Sequence, residues 1–292
     1  MAYNQLNCAV TLKNTGLACA SEDLGYFQKW IWMKEDFEFA TQSSAEDWDD
    51  WQTAINEKNI YPFKSVISVE NATEEDVMEE LPTGVSLFVR EGKFRESGYV
   101  NMALCEMIAH RSFNGKKGRL AFATSNGYIV LYSPDTIKAK GFSYDNLRIG
   151  LQGPTDGSTQ RKTKMYCSLS DPNEMGDYIV AIKPTWNPLD LEGVVDVDLA
   201  LVGSTTASLV KFTVKRTCDN EAVLGLVAGD FDFLVTAGSA QTAVPGFAEN
   251  GVGEYQYSAS ATIAAGTLKL KSPSLQTTGG YESDDTLAIS VT

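Results

Sequence analysis

The stretch SVISVENATEEDVMEELPTGVSLFVREGKFR, residues 65–95, sets two strand-like runs, SVISV (65–69) and VSLFV (85–89), on either side of a dense block of acid. β-Branched and aromatic residues in short runs bounded by Pro and Gly favour strands. Between the runs stand Glu70, Glu74, Glu75, Asp76, Glu79 and Glu80, with no histidine nearby and no metal-ligand spacing. Two local structures fit this middle. Thr73 followed by Asp76 suits the cap of a short helix, whereas Val77 and Leu81 suit an extended ribbon. The strand-like flanks favour the ribbon. Carboxylates are expensive to bury, so the segment is expected to be a charged surface on a sheet-rich body.

Outward from this segment the chain alternates in the same way. YFQKWIWM (26–33) reads as a strand through Trp30, Ile31 and Trp32. The spacing of Trp48, Trp51 and Ile55, with Ser43 or Ser44 as cap and acids in the first turns, predicts a helix over 44–58. A second helix is predicted over 101–113, with Leu104, Met107, Ile108 and Arg111 on one face. GRLAFATSNGYIVLYSPD (118–135) predicts a hairpin with a type I′ turn at Asn126-Gly127. Two further strands flank the polar tip GPTDGSTQ (153–160). From about 204 onward Ala, Ser, Thr, Gly and Val dominate, and short strands recur between turn residues. That rhythm suits an Ig-like β-sandwich. The expected fold is mainly β (α+β): a β-sandwich or barrel body with one or two flanking helices over 1–204, then an Ig-like β-sandwich over 205–292.

Bulk properties narrow the function classes. The 292-residue chain has an ordinary globular composition and a net charge of −14. Gripping nucleic acid needs Lys and Arg against phosphates, so specific nucleic-acid binding is not expected. No apolar run is long enough for a membrane span, and the N-terminus lacks the basic and apolar regions of a secretory signal. The five cysteines are scattered, odd in number and without a CxxC, which predicts a reducing, intracellular origin and no disulfide framework.

Catalytic and ligand motifs are missing from the pattern. His110 is the only histidine, which argues against triads and His-ligated metal clusters. NGKKGR (114–119) lacks the spacing and the hydroxyl of a phosphate loop and reads as a basic turn. DVD (196–198) and DFD (230–232) read as solvated strand faces, too poor in oxygens for Ca²⁺. Tyr255 and Tyr257 share a strand face and suit either a sugar platform or a core. No enzyme activity, cofactor or metal is expected.

The opening NCAVTLKNTGLACASEDLGYFQKWIWM, followed in order by IYPFKSVISVEN, EELPTGVSLFVREGKFR, GYIVLYSPDTIKAKGF, MYCSLSDPNEMGDY and LEGVVDVDLALVGS, resembles a group of virion structural proteins from tailed phages and prophages of Bacteroides-type bacteria, crAss-like phages included. The resemblance covers roughly 1–204, and the C-terminal section looks like Ig-like domains that phages append to capsid, tail and decoration proteins. It implies a non-enzymatic structural subunit made in the bacterial host cytoplasm and residing in the virion. A homo-oligomeric ring or tail tube through which DNA passes, bound to other virion proteins, is the leading expectation. A capsid decoration or head-fibre protein is the structural alternative. A carbohydrate- or cell-surface-binding module is the alternative from another class. On this reading the acids at 70–80 face a lumen or a basic patch on the next subunit. Trp30, Trp32 and the basic cluster Arg161, Lys162 and Lys164 are the candidate inter-subunit contacts.

Overall fold

The structure, a computed structural model, describes residues 24–135, 137–153, 161–176, 178–206, 208–236, 238, 240, 246–259 and 263–290. It is mainly β and divides into two units, Met1–Glu192 and Gly193–Thr292. The division falls ahead of the 204/205 boundary expected from composition. The reason is pairing: the strand Val195–Leu201 hydrogen-bonds to Leu209–Arg216 and Tyr281–Glu282, so it belongs to the second unit.

The first unit runs β1 (Phe27–Met33), α1 (Gln42–Glu46), α2 (Trp48–Asn56), β2 (Ile60–Pro62), β3 (Ser68–Asn71), β4 (Val77–Glu80), β5 (Ser86–Arg90) and β6 (Arg95–Val100). It continues through α3 (Leu104–Arg111), β7 (Arg119–Thr124), β8 (Ile129–Tyr132), β9 (Phe142–Ile149), β10 (Thr163–Leu169), α4 (Pro172–Gly176) and β11 (Ile179–Ile182). Nine strands form one sheet in the order β11-β8-β7-β9-β10-β6-β3, with β1 and β2 branching from β7. β7 is the hub. It pairs with β1 along its length, with β9 at Arg119–Leu120 and with β8 at Phe122–Ala123. Its apolar run is buried on both faces, as expected of a strand covered on each side.

Trp30 lies in this unit's core, edge-on to Phe122 at 6.4 Å. Trp32 packs 5.1 Å from Phe113, and its Nε1 donates to the Tyr144 hydroxyl at 3.1 Å. Both rings are buried within their own unit, which corrects the expectation that they make inter-subunit contacts. Two large indoles on alternate positions of a strand are the most effective apolar area available to this core.

The helix expected over 44–58 is broken in two at Asp47. Thr41 caps α1 through its side chain, and Asp47 leaves helical geometry to cap α2 by accepting from the Asp49 N–H at 3.0 Å. An aspartate early in a helix competes for backbone donors in this way. Trp51 and Trp186 bridge the break by donating from Nε1 to the Ala45 and Glu46 carbonyls, at 2.9 and 2.8 Å. The hairpin at Asn126 also differs from expectation. The Thr124 N–H reaches the Tyr128 carbonyl at 2.8 Å, and only Gly127 has a positive φ, of 81°. The loop therefore holds three residues ending in a left-handed glycine, not a two-residue type I′ turn.

On α3 the packed face is Met107 with His110, while Leu104 and Ile108 point outward. His110 accepts at Nε2 from the Lys64 N–H (3.1 Å), and Nδ1 lies 3.4 Å from the Tyr61 hydroxyl. Burial lowers the imidazole pKa to about 4. It is thus a neutral structural ring that ties α3 to the segment after β2.

The second unit contains β12 (Val195–Leu201), β13 (Leu209–Arg216), β14 (Phe231–Val235), β15 (Gly246–Glu249), β16 (Glu254–Ser258), β17 (Gly266–Leu270), β18 (Tyr281–Glu282) and β19 (Thr286–Ile289). One sheet has the order β15-β16-β13-β12-β18, the other β14-β17-β19. Both contribute to one core around Phe212, Phe231, Phe233, Tyr255, Tyr257 and Leu268, which makes a two-sheet sandwich. Tyr255 and Tyr257 are buried there, so they do not form a sugar platform. Asp230 corrects the solvated reading of DFD. It is fully buried and accepts from the backbone of Val227, Thr277 and Thr278 and from the Thr278 hydroxyl.

Cysteine use also departs from expectation. Cys105 and Cys218 are each disulfide-bonded, whereas Cys167 is free and buried.

Candidate interaction site

The acidic segment is extended, as its flanks predict. β4 and β5 form a separate two-stranded ribbon, and every residue of both strands is exposed. Across the ladder Met78 opposes Phe88, Glu79 opposes Leu87 and Glu80 opposes Ser86. Directly opposed residues share a face. One face therefore carries Met78, Phe88 and Glu80, and the other carries Leu87 and Glu79. Met78, Leu87, Phe88 and Val89 are 54, 47, 56 and 54% exposed. A register shift opposite Val77 and Met78 leaves Val89 as the extra residue.

The tip follows from its turn chemistry. The Leu81 N–H donates to the Val85 carbonyl at 2.9 Å, and the Gly84 N–H donates to the Leu81 carbonyl at 2.8 Å. Pro82 presets φ at the first central position, and Gly84 takes the left-handed φ of 77°. At the base, Glu74 pairs with Arg95 at 2.6 Å and Arg90 at 3.3 Å, and Asp76 accepts from the Gly92 N–H at 2.9 Å. A Cβ on Gly92 would sit 1.9 Å from the Glu74 carbonyl oxygen, so this close crossing needs glycine. Desolvation pushes the Glu74 carboxyl up, but the Lys93 N–H, Arg90 and Arg95 outweigh it and hold the pKa below the usual value.

The acids therefore divide by role. Glu70 pairs with Lys164 at 3.3 Å and accepts from Ser97, and Glu74 and Asp76 fasten the base of the ribbon. Glu75, Glu79 and Glu80 are exposed and make no ion pair among the described residues. Of the basic cluster, Lys164 is already engaged by Glu70, whereas Arg161 and Lys162 are exposed without an acidic partner among the described residues. The tip 154–160 lies outside the described residues.

No family model matches the chain, and no curated protein matches it. The physical character of the ribbon carries the argument instead. An isolated two-stranded hairpin is marginally stable in water. The ribbon has exposed apolar side chains on both faces and strand edges that are unpaired among the described residues. These apolar residues are absent from the sequence-derived site, which centred on the acids. The signal was present in Leu87-Phe88-Val89, three successive apolar residues in a strand. Such a run places apolar groups on both faces, and only a known pairing partner tells whether both are covered.

Among the described residues no three His, Cys, Asp or Glu side chains gather in a metal-binding arrangement. No helix among them is long and apolar enough to cross a membrane. Residues 115–119 of NGKKGR line a partly open depression together with Tyr144 and Asp145.

Proposed function

We propose that the chain is a non-enzymatic structural subunit of a phage virion that assembles into a ring or tube of the tail, with the β4–β5 ribbon as its assembly arm. The observation that carries the reading is the ribbon itself: two strands, exposed on both faces, with Met78, Leu87, Phe88 and Val89 uncovered. The ordered resemblance over 1–204 supports the virion assignment. The net charge of −14 supports a surface along which DNA moves without sticking.

Size-exclusion chromatography with light scattering, followed by negative-stain imaging of the same fractions, tests this. The expected result is a discrete oligomer, visible as rings or short tubes. Replacing Met78, Leu87 and Phe88 together with serine leaves the fold intact, because all three are exposed. Loss of an aromatic anchor weakens association by about 30-fold or more, so the triple variant is expected to run as a monomer. A wild-type chain that stays monomeric at high concentration overturns the proposal.

A further inference from the structure

We infer that the arm of one copy docks its Met78–Phe88 face on a second copy at the outer face of α3 and the adjoining end of the β9–β10 pair, with Glu80, on that same face, against Arg161 and Lys162. This rests on the self-assembly reading above and names the receiving surface.

The receiving surface is built by three contacts. Leu104 and Ile108 are one helical turn apart on α3, and each is more than half exposed. Gln152 is tied to α3: its N–H donates to the Met107 Sδ at 3.2 Å, and its side-chain amide donates to the Met102 carbonyl at 3.0 Å. That brings Leu151, also more than half exposed, alongside the helix. The β9–β10 ladder extends to the Gly150 N–H and the Lys164 carbonyl, 2.8 Å apart. The segment entering β10 therefore carries Arg161 and Lys162 past the same end. The result is an apolar patch rimmed by two cations that have no acidic partner among the described residues.

The arm has the complementary composition. Its apolar residues are interleaved with Glu75, Glu79 and Glu80, which make no ion pair among the described residues. Arm-against-arm pairing would match apolar groups but would place these carboxylates against their own copies, and like charges face to face are unfavourable. Three other surface lysines are already engaged. Lys64 is held by Glu106, Lys93 by Asp145 and Lys164 by Glu70. A contact between two different surfaces of the same chain is heterologous and propagates until it closes, which yields rings.

Charge reversal with rescue tests the pairing. Glu80→Lys, and separately Arg161→Glu with Lys162→Glu, are each expected to abolish the oligomer. The chain carrying all three changes is expected to reassemble. Circular dichroism verifies that each variant is folded. In parallel, Phe88→Cys and Ile108→Cys chains, mixed under oxidation, are expected to give a cross-linked dimer that neither gives alone. If the wild type assembles and the serine arm variant does not, yet reversal at Arg161 and Lys162 has no effect, the inference fails while the assembly reading stands. Loss of assembly in both reversals without rescue, and without the cross-link, also overturns it. A monomeric wild type removes both.

Discussion

Asp230→Ala is expected to unfold the second unit selectively, lowering its stability by about 3–5 kcal/mol. The carboxylate accepts from the Thr277 and Thr278 N–H groups on one oxygen, and from the Val227 N–H and the Thr278 hydroxyl on the other. It thereby fixes the turn that enters β14 to the segment that follows β17. Hydrogen bonds to a buried charge contribute more than neutral ones, and deletion leaves several donors without partners. Domains of this size carry a total stability of only about 5–15 kcal/mol. The expected readout is a second-unit thermal transition displaced well below that of the first, with loss of amide protection confined to the second unit. Asn is expected to rescue poorly, because its amide nitrogen would face the Val227 N–H. Desolvation works against the charged form of Asp230, but the Val227, Thr278 and Thr277 donors prevail and lower its pKa. Its contribution is therefore present at neutral pH and lost as pH falls through the lowered pKa. An unchanged second transition in the alanine variant would refute the hub.

Glu96→Gln is expected to stabilise the first unit at mildly alkaline pH. Glu96 lies on β6 opposite Cys167 of β10 and Asn71 of β3, and its Oε2 has no hydrogen-bond partner. Burial raises the carboxyl pKa from 4.5 to about 8. Between these values the folded chain holds a proton that the unfolded chain has released, so stability falls as pH rises. Each pKa unit is worth about 1.4 kcal/mol, and the full span amounts to roughly 4–5 kcal/mol.

His110 acts in the opposite sense. Its folded pKa of about 4 lies below the usual 6.5, so its contribution falls as pH drops from 6.5 to 4. The two nearly cancel between pH 4.5 and 6.5. The wild type is expected to be flat there and to lose about 2 kcal/mol between pH 6.5 and 8. The Gln variant is expected to gain stability up to pH 6.5 and then to hold it. Lys29, lowered to about 8 by burial, affects stability only above that pH. Urea denaturation at several pH values measures this directly. A Gln variant that still loses stability between pH 6.5 and 8 would rule out Glu96 as the cause.

Local pattern carried far in this protein. The β-rich class, two separate units, the extended form of 70–80 and helices near 44–58 and 101–113 were all legible in the sequence. Each depends on periodicity, turn residues or backbone preference, which act over a few positions. Boundaries were less legible. Asp47 splits one expected helix because its side chain takes a backbone donor, and β12 joins the second unit because of partners that lie far along the chain.

What a side chain does once placed was decided by tertiary structure. Trp30, Trp32, Tyr255 and Tyr257 are apolar groups with several possible destinations, and packing sends all four to cores. The six acids at 70–80 look alike in sequence, yet Glu70, Glu74 and Asp76 find partners at specific distances, and Glu75, Glu79 and Glu80 make no ion pair among the described residues. Asp230 and Asp232 belong to the same DFD motif, and only Asp230 is fully buried among backbone donors. Composition and alternation determine which segments extend and how charged they are. Whether a face is covered depends on which strand lies beside it, and that is a long-range contact no local pattern encodes.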